Sequence, residues 1–153
     1  MPAWRSFVTA SASDRRLLVE AAVLLALVRV GLQILAFPTL RGFLDRVTSR
    51  RGGRVRPAAP GSATEPANRV AWAVTAAARR VPGSMTCLSE ALAAAAMLRR
   101  RGYAPHLRIG VQDPGNTSKP LEAHAWVECD GHVVVGELEN LAAYVVLSAP
   151  GRS

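Results

Sequence analysis

Two cysteines in 153 residues are too few for a disulfide framework, and neither shares a metal-ligand spacing with any of the three histidines. Structural zinc is therefore not expected, and the free thiols fit a reducing cytoplasm. Aromatic residues make up only 5% of the chain, and alanine dominates the apolar fraction, so helices should pack closely around a thin core. Eleven acidic residues stand against nineteen basic ones, a formal charge of +8 that would suit an anionic partner such as nucleic acid, lipid headgroups or an acidic peptide. The arginines are scattered without aromatic interleaving or a recognisable nucleic-acid module, which argues against nucleic acid. The length leaves room for one domain with a modest core.

Ser13 reads as the cap of an apolar helix over about 14–37, with Leu17, Leu18, Ala21, Leu24, Leu25, Val28, Leu32 and Leu35 at helical spacing and Pro38 as its stop. Its length is near that of a membrane span. Glu20, Arg29 and Gln33 interrupt it, and a central arginine costs about 3 kcal/mol on insertion scales. Docking on the domain or on a partner protein is the expectation, with membrane contact left open. The segment is too long and too late for a signal peptide and has no convincing cleavage site, so the protein is expected to stay in the cytoplasm. Residues 40–64 turn to Arg, Gly, Pro and Ala and read as a linker. The expected division is thus 1–39 as an apolar helical segment, 40–64 as the linker and 65–150 as the domain proper.

That domain opens with a helix begun by Thr64 and Pro66 and ended by Pro82-Gly83. A second helix starts near Cys87, carries Leu88, Ala91, Leu92, Ala95 and Leu98 on its apolar face, and ends at Arg99–Arg101 and Gly102. The period then changes from helical to alternating. Leu107, Ile109 and Val111 mark a strand, a polar loop follows, Leu121 to Glu137 form a hairpin, and Tyr144 to Leu147 a last strand. Helices followed by an antiparallel meander predict an α+β fold.

The hairpin carries the chemistry. Asp130-Gly131 favours a two-residue type I′ turn, so Cys129 should pair with His132, and unbroken pairing back from there sets His124 opposite Glu137. His124, Trp126 and Glu128 share one face by alternation. A histidine beside a carboxylate lacks only a nucleophile, and Cys87 supplies one. The positive end of the helix macrodipole favours an anion, and free backbone N–H groups there can serve an oxyanion. Cys129, on the opposite face from His124, reads as buried and inert. His106 and His132 read as ordinary strand and turn-flanking residues, and Asp130 is explained by the turn.

Cys87-Leu88 with its Ala/Leu-rich helix, Leu98 to Tyr103, Leu107 to Val111 and above all Ala123-His124-Ala125-Trp126-Val127-Glu128-Cys129-Asp130-Gly131 resemble the lasso-peptide biosynthesis leader peptidase in its stand-alone form. The resemblance runs from about Val70 to Leu147. It implies a transglutaminase-like fold related to papain-type proteases and a Cys-His-Asp triad that removes the leader from a ribosomally made precursor. Cys87 is then the nucleophile and His124 the base. The family's acid is aspartate, whereas Glu137 is the carboxylate expected opposite His124, with Asp130, Glu139 and Glu128 as substitutes. The resemblance further implies that no metal, ATP or other cofactor is needed for cleavage. Its implied partners are the precursor leader peptide, a leader-recognition protein and a macrolactam-forming lasso cyclase. Two alternatives stay open from the residues alone: a non-catalytic basic scaffold for a partner or membrane, and an enzyme passing the acyl group to an amine instead of water.

Overall fold

Ser11 opens the first helix, α1 (Ala12–Ile34), by accepting a hydrogen bond from the Asp14 backbone at 3.2 Å. The cap thus lies two residues before Ser13. The computed structural model describes residues 11–49, 64–80, 86–112 and 121–147. The chain turns extended at Leu35, and Pro38 sits in the first turn of α2 (Phe37–Ser49), where its missing N–H costs nothing. Pro38 therefore helps to start a helix as well as to keep α1 from continuing.

The linker expectation is corrected for residues 40–49. Phe37, Leu40 and Leu44 recur at helical spacing and pack on the core, with Leu40 buried. Thr48 is buried too, and its hydroxyl donates to the Leu44 carbonyl at 2.7 Å. Asp45 pairs with Arg99 at 2.9 Å. Read as composition, this short stripe merges with the Arg/Gly/Pro-rich run after it; the rest of that expected linker, 50–63, lies outside the described residues.

Helix α3 (Thr64–Ala78) buries Ala67, Val70, Ala73, Val74 and Ala77, and α4 (Cys87–Arg100) is buried without interruption from Ala91 to Leu98. A helix buried all round must be central. Helices α1, α2 and α3 and the sheet all pack on it, and its alanines let the neighbours come close. Its end is tied off by the Tyr103 amide donating to Leu98 and the Gly102 amide to Arg99, the two bonds of a Schellman motif.

Leu18, Ala21, Leu25 and Val28 of α1 belong to this same core, and Glu20 pairs with Arg100 at 3.0 Å and Arg101 at 2.6 Å. The expected boundary at residue 39 is therefore not a domain boundary, because α1 completes the core that α4 begins. Leu25→Ala should accordingly cost about 2–5 kcal/mol, the range for truncating a buried leucine. Chemical denaturation checks this, and a loss below about 0.5 kcal/mol would mean that α1 is an appendage.

Strands β1 (His106–Gln112), β2 (Glu122–Cys129), β3 (His132–Val135) and β4 (Val145–Val146) form one antiparallel sheet in the order β3-β2-β1-β4. The first three make the expected meander. The last does not extend it: after a 3-10 turn at Leu141–Ala143 the chain returns to pair with β1, Gly110 opposite Val146. Leu107, Ala125, Val127 and Val135 face the helices. By alternation Arg108, His124 and Trp126 face the other way.

Candidate active site

Cys87 is the first residue of α4 and is half-buried. Its position follows from local chemistry. The Thr86 hydroxyl accepts from the Ser89 amide at 3.3 Å, and Ser89 Oγ accepts from the Thr86 amide at 3.1 Å, a reciprocal capping box with serine at its third position.

The hairpin turn is as expected: Asp130 has φ 51° and Gly131 φ 80°, and Cys129 pairs with His132. The register then slips. Glu128 faces Val133, but Val127 faces Val135, so a bulge adds one residue to β3 and sends the residues beyond it to the other side. Val135 is buried in the core instead of sharing the His124 face, and β3 ends there. At Gly136 the chain leaves the sheet with φ 83°, and the Gly136 carbonyl oxygen lies 2.7 Å from His124 Nε2. The expected pairing of His124 with Glu137 is therefore corrected: Glu137 is exposed, and the atom against the ring is the backbone oxygen one residue earlier.

That oxygen selects the tautomer. A carbonyl can only accept, so Nε2 carries the hydrogen and Nδ1 keeps the lone pair. Trp126 holds the ring from one side, its own ring centroid 6.2 Å away and inclined by 15°. Only 3% of Trp126 is exposed although it lies on the outer face, because Gly110 leaves room for it: a Cβ there would stand 2.9 Å from the indole and 3.0 Å from Tyr144 Cβ. The indole N–H donates to Glu128 at 2.9 Å, and Arg108 donates to the other carboxylate oxygen at 3.1 Å. The Trp126 N–H, joined by Arg108, holds the Glu128 carboxyl below its ordinary pKa against the opposing effect of burial. Glu128 is thus already engaged.

Tyr144 stands on the His124 ring as well, centroid to centroid 5.8 Å, with its hydroxyl 3.4 Å from Glu122. Desolvation, then the Glu122 charge and hydrogen bond, and finally the charge of an ionised Cys87 raise the Tyr144 pKa. The body of α4 covers the opposite face of the sheet from the His124 ring. Cys129 is buried, and burial, followed by Asp130, pushes its thiol pKa up, as an inert thiol requires. Asp130 is spent on the turn, Glu139 is exposed, and His106 and His132 are exposed, the latter with Nδ1 3.1 Å from the Asp130 carbonyl.

Sequence reasoning missed Gly136, Gly110, Tyr144 and Glu122. Gly136 alone had a local signal, a glycine ending a Val-Val-Val run, where a bulge or a close backbone approach is common.

A cysteine opens the central helix, and the ring of a strand histidine is held by the Gly136 carbonyl, Trp126 and Tyr144. The family model of the Transglutaminase-like superfamily matches residues 31–149, more than three quarters of the chain, and the chain belongs to that superfamily. A search of curated proteins found no match, and neither did a search of solved structures.

Proposed function

We propose that this protein is a cysteine peptidase that removes the leader from a ribosomally made lasso-peptide precursor. The observation that carries the chemistry is the His124 ring, whose Nε2–H is engaged by the Gly136 carbonyl, so that Nδ1 is the free base. Cys87 at the capped start of α4 is the nucleophile. Its thiol gives its proton to His124 Nδ1, the thiolate attacks the carbonyl joining leader to core, and the oxyanion draws on backbone N–H groups at the helix start. Protonated His124 gives its proton to the leaving amine; His124 then takes a proton from water, which hydrolyses the thioester and frees the thiol. The lasso assignment rests on the resemblance of the string from Ala123 to Gly131. A domain of this size offers little surface for holding a peptide unaided, which suits a division of labour with a leader-recognition protein and a cyclase that consumes the freed core.

Incubation with a co-encoded precursor, with and without the recognition protein, followed by mass spectrometry, tests this reading. Separate leader and core masses from the wild type and none from Cys87→Ala support it. Intact precursor under all conditions overturns it, and a product lengthened by an added amine would mean acyl transfer in place of hydrolysis.

With a neutral carbonyl on the ring, Glu137→Gln should lower kcat/KM by less than about tenfold, whereas neutralising a true triad carboxylate costs about 10⁴-fold. Steady-state cleavage of a leader-derived peptide decides between them. A fall of 10³-fold or more would mean that Glu137 reaches the ring during catalysis and restores it as the triad acid.

A further inference from the structure

With its inner face buried in the core, α1 turns a second apolar line outward. Val19, Val23, Leu27, Val30 and Ile34 are each at least half exposed, from 50% at Val30 to 74% at Ile34. At 100° per residue they fall within an arc of about 80° and run for about 22 Å along the helix. No charged position lies in that line, and Arg16, exposed, continues it at the N-terminal end beside exposed Arg15. An exposed aliphatic stripe of this length on a water-facing helix marks an interaction surface.

The distribution of charge says what covers it. Ten arginines and only three acidic residues fall in the first 56 positions, which therefore hold seven of the eight net positive charges. The same third of the chain thus carries the apolar line and nearly all the charge excess. Nucleic acid would satisfy the arginines and leave the aliphatics in water; a neutral bilayer would do the reverse. An anionic bilayer surface takes both, the aliphatics at the acyl boundary and the exposed Arg15 and Arg16 at the end of the line among the phosphates. The helix meets the length and hydropathy of a membrane span, yet Leu18, Ala21, Leu25 and Val28 are committed to the core and Glu20 to two arginines. Crossing the bilayer would require tearing those contacts out, whereas lying in its surface leaves them intact.

We infer that the outer face of α1 attaches the folded protein, in the plane of the membrane, to an anionic lipid surface. This is independent of the peptidase reading. The test is co-sedimentation of the full chain with phosphatidylcholine vesicles, with and without phosphatidylglycerol. The wild type should pellet with the phosphatidylglycerol-containing vesicles and bind about tenfold less to phosphatidylcholine alone, and added salt should weaken it. Val23→Asp/Leu27→Asp should reduce binding about tenfold or more while keeping the wild-type circular dichroism, since both side chains are exposed in the folded protein. Arg15→Gln/Arg16→Gln gives a second variant that leaves the apolar line untouched and should lose part of the binding. A wild type that stays in the supernatant, binding that ignores phosphatidylglycerol, or a double aspartate variant that is folded and still pellets would each overturn the inference. Concentration-dependent self-association without vesicle binding, abolished in the aspartate variant, would assign the stripe to a second copy of the chain.

Discussion

Under the proposed peptidase function, Cys87→Ala and His124→Ala should each bring leader cleavage down to background, a loss of roughly 10⁴-fold or more, and the double variant should be no worse than either single one. The non-additivity follows from chemistry. An imidazole without the thiol has no proton to manage, and a thiol without the imidazole cannot protonate the leaving amine. Both side chains are only partly buried, so folding should survive, and matching thermal melts would confirm that activity alone was lost. Cys129→Ala is the informative control, because that thiol is buried and its pKa is raised by burial. Activity surviving in the Cys87 variant and vanishing in the Cys129 variant would reverse the assignment of nucleophile.

Gly136→Ala should have the next largest effect although no side-chain chemistry is removed. An alanine at φ 83° pays about 1–2 kcal/mol for the left-handed conformation, and its Cβ would stand 2.7 Å from the Ala125 carbonyl oxygen and 3.0 Å from Trp126 Cα. Those are backbone atoms of a central strand and cannot swing aside as a flexible side chain would. The segment must lift, carrying with it the oxygen that holds His124 Nε2. Denaturation should show a loss of about 2 kcal/mol or more, and kcat/KM should fall by about 100-fold, the usual consequence of moving a catalytic group by about 1 Å. The nitrogen chemical shifts of His124 should change together with the rate, because the tautomer is no longer held. A Gly136→Ala protein with native stability and native rate would show that the carbonyl is a bystander.

The parts of the site that were legible are those specified within a few residues. Thr86 and Ser89 cap one another, so the helix starts at Cys87 whatever surrounds it. Asp130-Gly131 makes its own turn, and alternation along β2 then places His124 with Trp126. The third contact of the histidine was not legible, because a bulge between strands leaves no mark in the alternation of one strand. The slip at Val127 changes which residue faces His124 by moving Val135 into the core, and only packing against α4 rewards that choice. Tyr144 was hidden for a similar reason. Nothing local says that the chain after β3 will return to the far edge of β1 and lay a ring on His124.

The same division runs through the helices. Hydrophobic spacing by itself determined that α1, α3 and α4 exist, since a helix needs only its own backbone bonds and one apolar face. The spacing also picked out the inner face of α1, Leu18, Ala21, Leu25 and Val28, whereas tertiary packing decided that the second apolar line, through Val19, Val23 and Leu27, stays exposed. Helix α2 was likewise decided by its neighbours, because Leu40 and Leu44 form too short a stripe to stand out from the arginine- and proline-rich composition beyond it until α1 and α4 supply a surface to cover. Local hydrogen bonding and periodicity are properties of the chain, whereas burial and register belong to pairs of residues far apart in it, and the His124–Gly136 contact, like the exposure of the second apolar line of α1, is of the second kind.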